Sequence, residues 1–366
     1  MRDKVVTVRK RAADNLELRV SHLLANTRAF LQKRNLDAAL LKEKAVQQYP
    51  SAQVLLTSSP VQGLATPTSD IDLVAVTSDA LSKNRMATQI YVGEHHCEVS
   101  AVSHDELEAS LNALRALAGS DPLDVMRTIQ KWDKSHPIPR KYLERIVNGV
   151  SPEGEAPHAE LIPDLATVWA LQAYQRFVEN AAALCLSVAA GEDRSPAVYA
   201  AGAVTDVMDA LLCEAGFVYS NKKWILTRWT KDAGHALRDA PDTLSATNIS
   251  ALLRDIRSGL GGELPGGAAA RVLELGAALA GRLFGDDAER HSRFAFAQAA
   301  DARMLPFGKG AQVALFNGRA AVLRGELPVD LSETIPFEGR DSVPADKARS
   351  FLTAIRTGLA KVELAA

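Results

Sequence analysis

Apolar positions along the chain change their spacing several times, and those changes divide it. Over residues 14 to about 48, Leu16, Val20, Leu23 and Leu24, then Leu36, Ala39 and Leu40, recur at helical intervals. Tyr49-Pro50 ends that region, because the residue before a proline avoids helical dihedrals. Val54-Leu55-Leu56 reads as a buried strand, and a loop rich in Ser, Thr, Pro and Gly follows from Ser58 to Ser69. Residues 71–76 form a second strand, while 88–92 and 97–102 flank Gly93-Glu94 as a hairpin. His104-Asp105-Glu106 opens a helix that carries Leu107, Leu111, Leu114 and Leu117 on one face.

After Gly119 the pattern is helical to about residue 283, with breaks at 137–139, 152–157, 193–196 and 259–267. Helices of that length with short breaks predict an antiparallel bundle. Residues 312–316 and 319–324 are strand-like around Asn317-Gly318, a favoured two-residue hairpin turn. A closing helix is expected from 345 to about 364. The predicted class is α+β: a sheet domain with an N-terminal helix over 1–118, a helical domain over 119–290 and a small α+β appendage over 291–366.

Composition narrows the setting. A chain of 366 residues with 47% hydrophobic, 5% aromatic and 23% charged residues is an ordinary globular protein, long enough for two or three domains. A net charge of −2 supplies no global field for a nucleic-acid backbone. Arg2, Lys4, Arg9, Lys10 and Arg11 read as a solvated basic arm. Cys97, Cys185 and Cys213 are widely spaced, without a CxxC pair, and are expected to be buried thiols in a reducing compartment. Neither a signal-peptide pattern nor a bilayer-length apolar stretch is evident, so the expected location is the cytoplasm, with no membrane partner.

Candidate chemistry lies between Leu55 and Val76. A strand and a small-residue loop lead into a strand that opens with Asp70-Ile71-Asp72. Side chains alternate along a strand, so Asp70 and Asp72 project to one face, with Ile71 and Leu73 turned to the other. Two carboxylates held so close repel, and a hard divalent cation such as Mg²⁺ resolves the repulsion with carboxylate and phosphate oxygens. In the loop, Ser59 offers a hydroxyl and Gly63 a backbone without Cβ that can approach a phosphate.

This stretch resembles the nucleotidyltransferase fold typified by DNA polymerase beta and the aminoglycoside nucleotidyltransferases. The family's motif begins with Gly-Ser, reaches a glycine four residues after that serine, and ends in Ser-Asp-x-Asp-Leu. Ser59 matches the serine, Gly63 the glycine and Ser69-Asp70-Ile71-Asp72-Leu73 the acidic end; Ser58 stands where the motif has its first glycine. The resemblance covers about residues 50 to 103, and its spacing is similar to that of stand-alone bacterial members. It implies a mixed β-sheet flanked by helices, and a third carboxylate from a later strand, which Glu98 fits; Glu94, in the turn, is the weaker candidate. By this resemblance Asp70, Asp72 and Glu98 are the catalytic and metal-ligating residues, with two Mg²⁺ ions expected. Ser58, Ser59, Gly63 and Ser69 belong to the nucleotide cradle.

A second segment, 214–224, holds Gly216, Phe217, Tyr219, Lys222, Lys223 and Trp224 after an apolar helix. It is similar to a turn in small-molecule nucleotidyltransferases, where Lys223 or Lys222 would neutralise triphosphate charge and Tyr219 or Trp224 would line the nucleotide site. The same residues are equally read as core packing after a helix-capping glycine, with lysines complementing the helix dipole. His95 and His96 read as structural or solvent-facing, His104 as a local polar contact, and Asp206 and Asp209 as either bases toward an acceptor or solvated helical carboxylates.

The function implied is magnesium-dependent transfer of a nucleoside monophosphate from a nucleoside triphosphate, ATP being the expected donor, to an acceptor hydroxyl. A small-molecule acceptor is expected, and the family resemblance extends to a homodimer. Rival readings are nucleotidylation of a protein hydroxyl, synthesis of an oligonucleotide or cyclic messenger, and nucleotide binding without turnover.

Overall fold

A computed structural model describes residues 6–79, 81, 86–260, 262–288, 293–298, 303–306, 311–316, 319–324, 334–336 and 343–364. It is a mixed α/β structure that divides into two compact units. One comprises Met1–Gln172 with Leu211–Ala236, the other Ala173–Ala210 with Leu237–Ala366. These divisions do not follow the boundaries expected at 118 and 290: the helices after the sheet, and a later stretch of chain, belong to the same unit as the sheet.

In the first unit the helical region before the sheet is three helices, α1 (Val6–Asp14), α2 (Leu16–Lys33) and α3 (Ala38–Gln48). The break between α2 and α3 has local causes. Asn35 takes a left-handed φ of 50°, and the Asp37 carboxylate caps α3 by accepting from the Ala39 amide at 2.8 Å. Part of the expected N-terminal basic arm is therefore ordered helix. Arg9 pairs with Asp164 at 2.8 Å, and Arg11 pairs with the buried Glu214.

Strands β1 (Gln53–Leu56), β2 (Ile71–Thr77), β3 (Thr88–Val92) and β4 (His95–Ser103) form one sheet in the order β1-β2-β4-β3. β2 is central, antiparallel to β1 and parallel to β4, and its Ile71, Leu73, Val74 and Ala75 are buried. Such a near-continuous apolar run suits a strand covered on both faces. Helix α4 (His104–Ala118) starts from β4 through a capping box: the Glu106 amide donates to Ser103 Oγ at 3.2 Å, and the Glu106 carboxylate accepts from the Ser103 amide. All four leucines expected on its inner face are buried. Helices α5 (Pro122–Ser135) and α6 (Arg140–Val147) follow, and a short bridge joins Leu56 at the end of β1 to Val150 beyond α6.

Helices α7 (Ile162–Ala189) and α8 (Ser195–Glu214) come next, and α9 (Ile225–Ala236) completes the first unit. Helix α8, contrary to the sequence reading, is long and apolar enough to cross a bilayer by length and composition; 72% of its apolar window is buried inside the protein, as in a core helix.

The second unit contains α10 (Ala246–Ser258), α11 (Ala268–Phe284), β5 (Arg293–Gln298), β6 (Arg303–Pro306), β7 (Ala311–Phe316), β8 (Arg319–Arg324), β9 (Thr334–Pro336), α12 (Ala345–Thr357) and β10 (Ala360–Leu364). Strands β7 and β8 pair as expected; the Asn317-Gly318 turn itself lies outside the described residues. The expected closing helix is shorter: Gly358, at φ 80°, caps α12, and β10 then pairs with β5. Asp206 and Asp209 are not solvated, as one reading had them. Both are buried against Arg176, at 3.0 and 2.6 Å.

Candidate functional site

Everything that follows lies within the first unit. The parallel register of β2 and β4 sets Asp72 directly beside Glu98, so their side chains share a face of the sheet. Asp70, one step ahead of β2, opens onto the same cleft, whose volume is about 1010 Å³. Ser58, Ser59 and Ser69 line it from the loop, and Lys222, Lys223, Tyr219 and Trp224 from the segment after Gly216. Sequence-predicted residues from two separate stretches of the chain thus meet at one opening. Gly63 is not among its lining residues.

The loop before Asp70 is held from several sides. At its start, the Thr57 amide and hydroxyl donate to the Asp72 carbonyl at 3.0 and 3.2 Å, fixing the end of β1 to the acidic strand. Ser58 adopts φ 62°, a conformation that favours glycine, and its buried hydroxyl has no hydrogen-bond partner. The chain thus places a serine where the backbone favours glycine and accepts the strain. Gly63, at φ 67°, lies against Lys231 and Asn26, so close that an added Cβ would fall 2.5 Å from Lys231 Nζ. Lys231 donates to the Gln62 carbonyl at 3.0 Å, and the buried Arg19 donates to Gln62 Oε1 at 2.5 Å and to Asn148 Oδ1 at 3.0 Å. Burial pulls the Arg19 guanidinium down to about 10. Nearer the aspartates, Arg34 donates to the Thr66 carbonyl at 3.1 Å and the Ser69 carbonyl at 2.8 Å. The Arg34 carbonyl in turn lies 2.9 Å from His95 Nε2, tying the loop to the start of β4. Of the structural and solvent-facing roles open to His95, it takes the structural one. Ser69 Oγ is engaged in its own turn, accepting from the Thr66 amide at 2.8 Å.

The opposite wall includes three residues that the sequence analysis did not single out: Lys141, Glu144 and Arg145 of α6. Lys141 and Arg145 are four apart and so share a helical face, a spacing visible in the sequence but common on solvated helices. Arg145 lies over the Tyr142 ring at 5.4 Å and reaches Asp72 Oδ2 at 3.6 Å. The Tyr142 hydroxyl lies 3.3 Å from Ser100 Oγ on β4. Glu144 is buried and accepts from Trp169 Nε1 at 2.8 Å and from the Ser220 amide at 3.0 Å. Burial raises its pKa, against the pull of those donors. It therefore anchors the segment around Ser220 to α6. Arg228 finishes the anchoring by donating to the Tyr219 and Phe217 carbonyls at 2.6 and 2.5 Å. Past Ser220, Asn221 caps a short 3₁₀ turn that presents Lys222 and Lys223, and Lys223 Nζ sits 5.2 Å from the centre of the Trp224 ring.

Chemically, the cleft has carboxylates on the sheet side and four cations, Lys141, Arg145, Lys222 and Lys223, on the helical side. The Asp70, Asp72 and Glu98 oxygens are the hard donors a divalent ion such as Mg²⁺ takes. Among the described residues, no group of three His, Cys, Asp or Glu side chains is drawn close enough to form a ready-made metal site. The donor chemistry fits Mg²⁺; bringing the carboxylates onto one ion takes side-chain movement, including release of Asp72 from Arg145.

Fold and cleft together define a mixed α/β protein with an acidic sheet face opposed by a cationic lip. The chain belongs to DUF6001, a family of unknown function whose model matches residues 16–366. No curated protein matches it.

Proposed function

We propose that this protein is a magnesium-dependent nucleotidyltransferase, moving a nucleoside monophosphate from a nucleoside triphosphate, ATP first among them, to an acceptor hydroxyl on a small molecule. The observation that carries this reading is the grouping of Asp70, Asp72 and Glu98 opposite Lys141, Arg145, Lys222 and Lys223 around one cleft. Asp70, Asp72 and Glu98 would hold the metal. Bound there, Mg²⁺ neutralises triphosphate charge and polarises the α-phosphate. Lys222 and Lys223 bind the outer phosphates as flexible point charges. The loop from Ser58 to Ser69 orients the chain of phosphates against the sheet, and Trp224 and Tyr219 offer aromatic surface to the base. The acceptor oxygen forms its bond to the α-phosphorus and gives up its proton to solvent, as the bond to the bridging oxygen breaks and pyrophosphate leaves. Catalysis on this scheme rests on positioning and charge neutralisation.

The test is incubation of the protein and an Asp70→Ala/Asp72→Ala variant with Mg²⁺ and each α-labelled triphosphate, with and without cell extract. Pyrophosphate release and labelled products confined to the wild type are expected, with the label on a small molecule. Label on a polypeptide would convert the reading to protein nucleotidylation. Magnesium-dependent binding of a nonhydrolysable triphosphate with no turnover under any condition would leave a nucleotide-binding scaffold.

A further inference from the structure

The walls of the cleft restrict what kind of acceptor it can hold. Among the described residues no aliphatic side chain lines it, and Tyr219 and Trp224 are its aromatic members. An apolar acceptor would gain little by burial there and would strip water from polar walls. The carboxylates lining it are Asp70, Asp72, Glu98 and Glu144. The first three are those that would hold metal. Glu144 is buried and already accepts from Trp169 Nε1 and the Ser220 amide. No carboxylate among the described lining residues is left to receive an ammonium group.

The cations are committed differently. Arg145 stands 3.6 Å from Asp72. Lys222 and Lys223 would engage the outer phosphates. Lys141 is exposed at the cleft, and its side chain has no hydrogen bond or ion pair among the described residues. It lies one helical turn before Arg145 on α6, so the two side chains leave one face of the helix on the order of 6 Å apart. An ammonium group thus lines the cleft about one turn from the acidic strand, with no carboxylate to pair with it.

We propose that the acceptor is a small hydroxylated anion, a phosphate ester or a carboxylate, whose charged group binds Lys141 while its hydroxyl lies toward Asp70 and Asp72. This acceptor class rests on the nucleotidyltransferase reading for the reaction itself. A lysine ammonium is a compact point charge on a flexible stem, and it receives either kind of anion. The one-turn separation from the acidic strand suits a short molecule, with hydroxyl and anionic group a few bonds apart. Amino alcohols and amino sugars are disfavoured by the same features. Their ammonium groups would meet Lys141 as a like charge and find no carboxylate to offset it.

The experiment uses three probes of similar size: glycerol 3-phosphate, glycerol and 2-aminopropane-1,3-diol, an anion, a neutral molecule and a cation. The protein is loaded with Mn²⁺ and an α,β-imido nucleoside triphosphate, and loss of the free-ion electron paramagnetic resonance signal verifies loading in every sample. Paramagnetic broadening of the probes' carbon-bound proton resonances then reports which of them sits near the metal. The Mn²⁺–analogue complex without protein is the blank. In wild type, protein-dependent broadening of glycerol 3-phosphate exceeds that of the other two by about fivefold, the gain from one ion pair worth about 1 kcal/mol. The excess is lost in Lys141→Ala and kept in Lys141→Arg. Equal broadening of the three, greater broadening of the cation, no protein-dependent broadening, or an excess that survives in Lys141→Ala overturns the proposal. Failure of loading is a separate result: it defeats the nucleotidyltransferase reading, and the acceptor class falls with it.

A second arm uses cell extract freed of macromolecules by filtration. Label transfer is expected from the fraction that an anion exchanger retains. Loss of transfer after phosphatase treatment, with the phosphatase removed before assay, identifies a phosphate ester, and survival identifies a carboxylate. Transfer confined to fractions that the anion exchanger does not retain, or to a macromolecule, overturns the proposal.

Discussion

At the scale of single residues, the loop before the aspartates carries its information in backbone geometry. Ser58 sits at φ 62° with an unpartnered buried hydroxyl, two costs that a glycine would not incur. Left-handed backbone costs a non-glycine residue about 1–2 kcal/mol, and the greater unfolded-state freedom of glycine returns part of it. Ser58→Gly is therefore expected to stabilise the protein by about 1 kcal/mol, seen as a higher urea midpoint with an unchanged slope. Gly63 behaves in the opposite sense. Its φ of 67° and the crowding by Lys231 and Asn26 predict that Gly63→Ala destabilises by at least about 1 kcal/mol, measured in the same way. Replacing Arg34 removes its bonds to the Thr66 and Ser69 carbonyls. Arg34→Ala should cost about 1–3 kcal/mol and weaken Mn²⁺ binding, while an exposed arginine of α5, Arg127, changed to Ala serves as an unaffected control.

At the scale of elements, Glu144 joins α6 to the lip that bears Lys222 and Lys223, and it makes that joint sensitive to pH. Burial raises its folded pKa above the ordinary 4.5, so in that window the folded state holds more protons than the unfolded one. Stability then falls as pH rises from about 4.5 through the folded value. The Glu144→Gln variant should lack that component, so its stability declines less than that of wild type across the same range in denaturant titrations. The sheet and its flanking helices were largely legible in the sequence, because their signals are local. Residues around Gly93-Glu94, Ser103 with Glu106, and Asp121-Pro122 mark a turn and two helix starts by their own chemistry. The closing helix was drawn too long because apolar spacing runs on beyond Gly358, while only the left-handed glycine reveals the stop. Asp70, Asp72 and Glu98 could be picked out since strand alternation and one resemblance point to them. Lys141, Glu144 and Arg145 could not, because Arg145 meets Asp72, Glu144 meets the Ser220 amide and Lys141 lines a cleft built from stretches far away in the sequence, and nothing in a short charged helix announces that.

At the scale of the whole molecule, the first unit is discontinuous, and its second segment is structural as well as functional. Residues 211–236 bring Phe217, Ile225 and Trp229 into the core of that unit, along with the buried Arg228 that fastens the lip. Burying each large apolar side chain is worth about 1.5–3 kcal/mol, against a total stability of about 5–15 kcal/mol for a domain. A fragment of residues 1–172 is therefore expected to lack a cooperative unfolding transition, as monitored by circular dichroism during a thermal scan. A cooperative transition in that fragment would show that the sheet and its first helices suffice.

That discontinuity also sets a timetable. The ribosome produces Asp70 and Asp72 long before Lys222, Lys223 and Arg228, with the other unit's residues 173–210 made in between. At about 5–20 residues per second, the delay is on the order of ten seconds. For its later part the acidic strand is accompanied in the nascent chain by Lys141 and Arg145 but not by Lys222 and Lys223. The cleft thus lacks part of its cationic wall until the second segment has emerged and returned, and a stall in translation between residues 173 and 210 would leave a polypeptide that carries every carboxylate of the site with Lys141 and Arg145 but without Lys222 and Lys223.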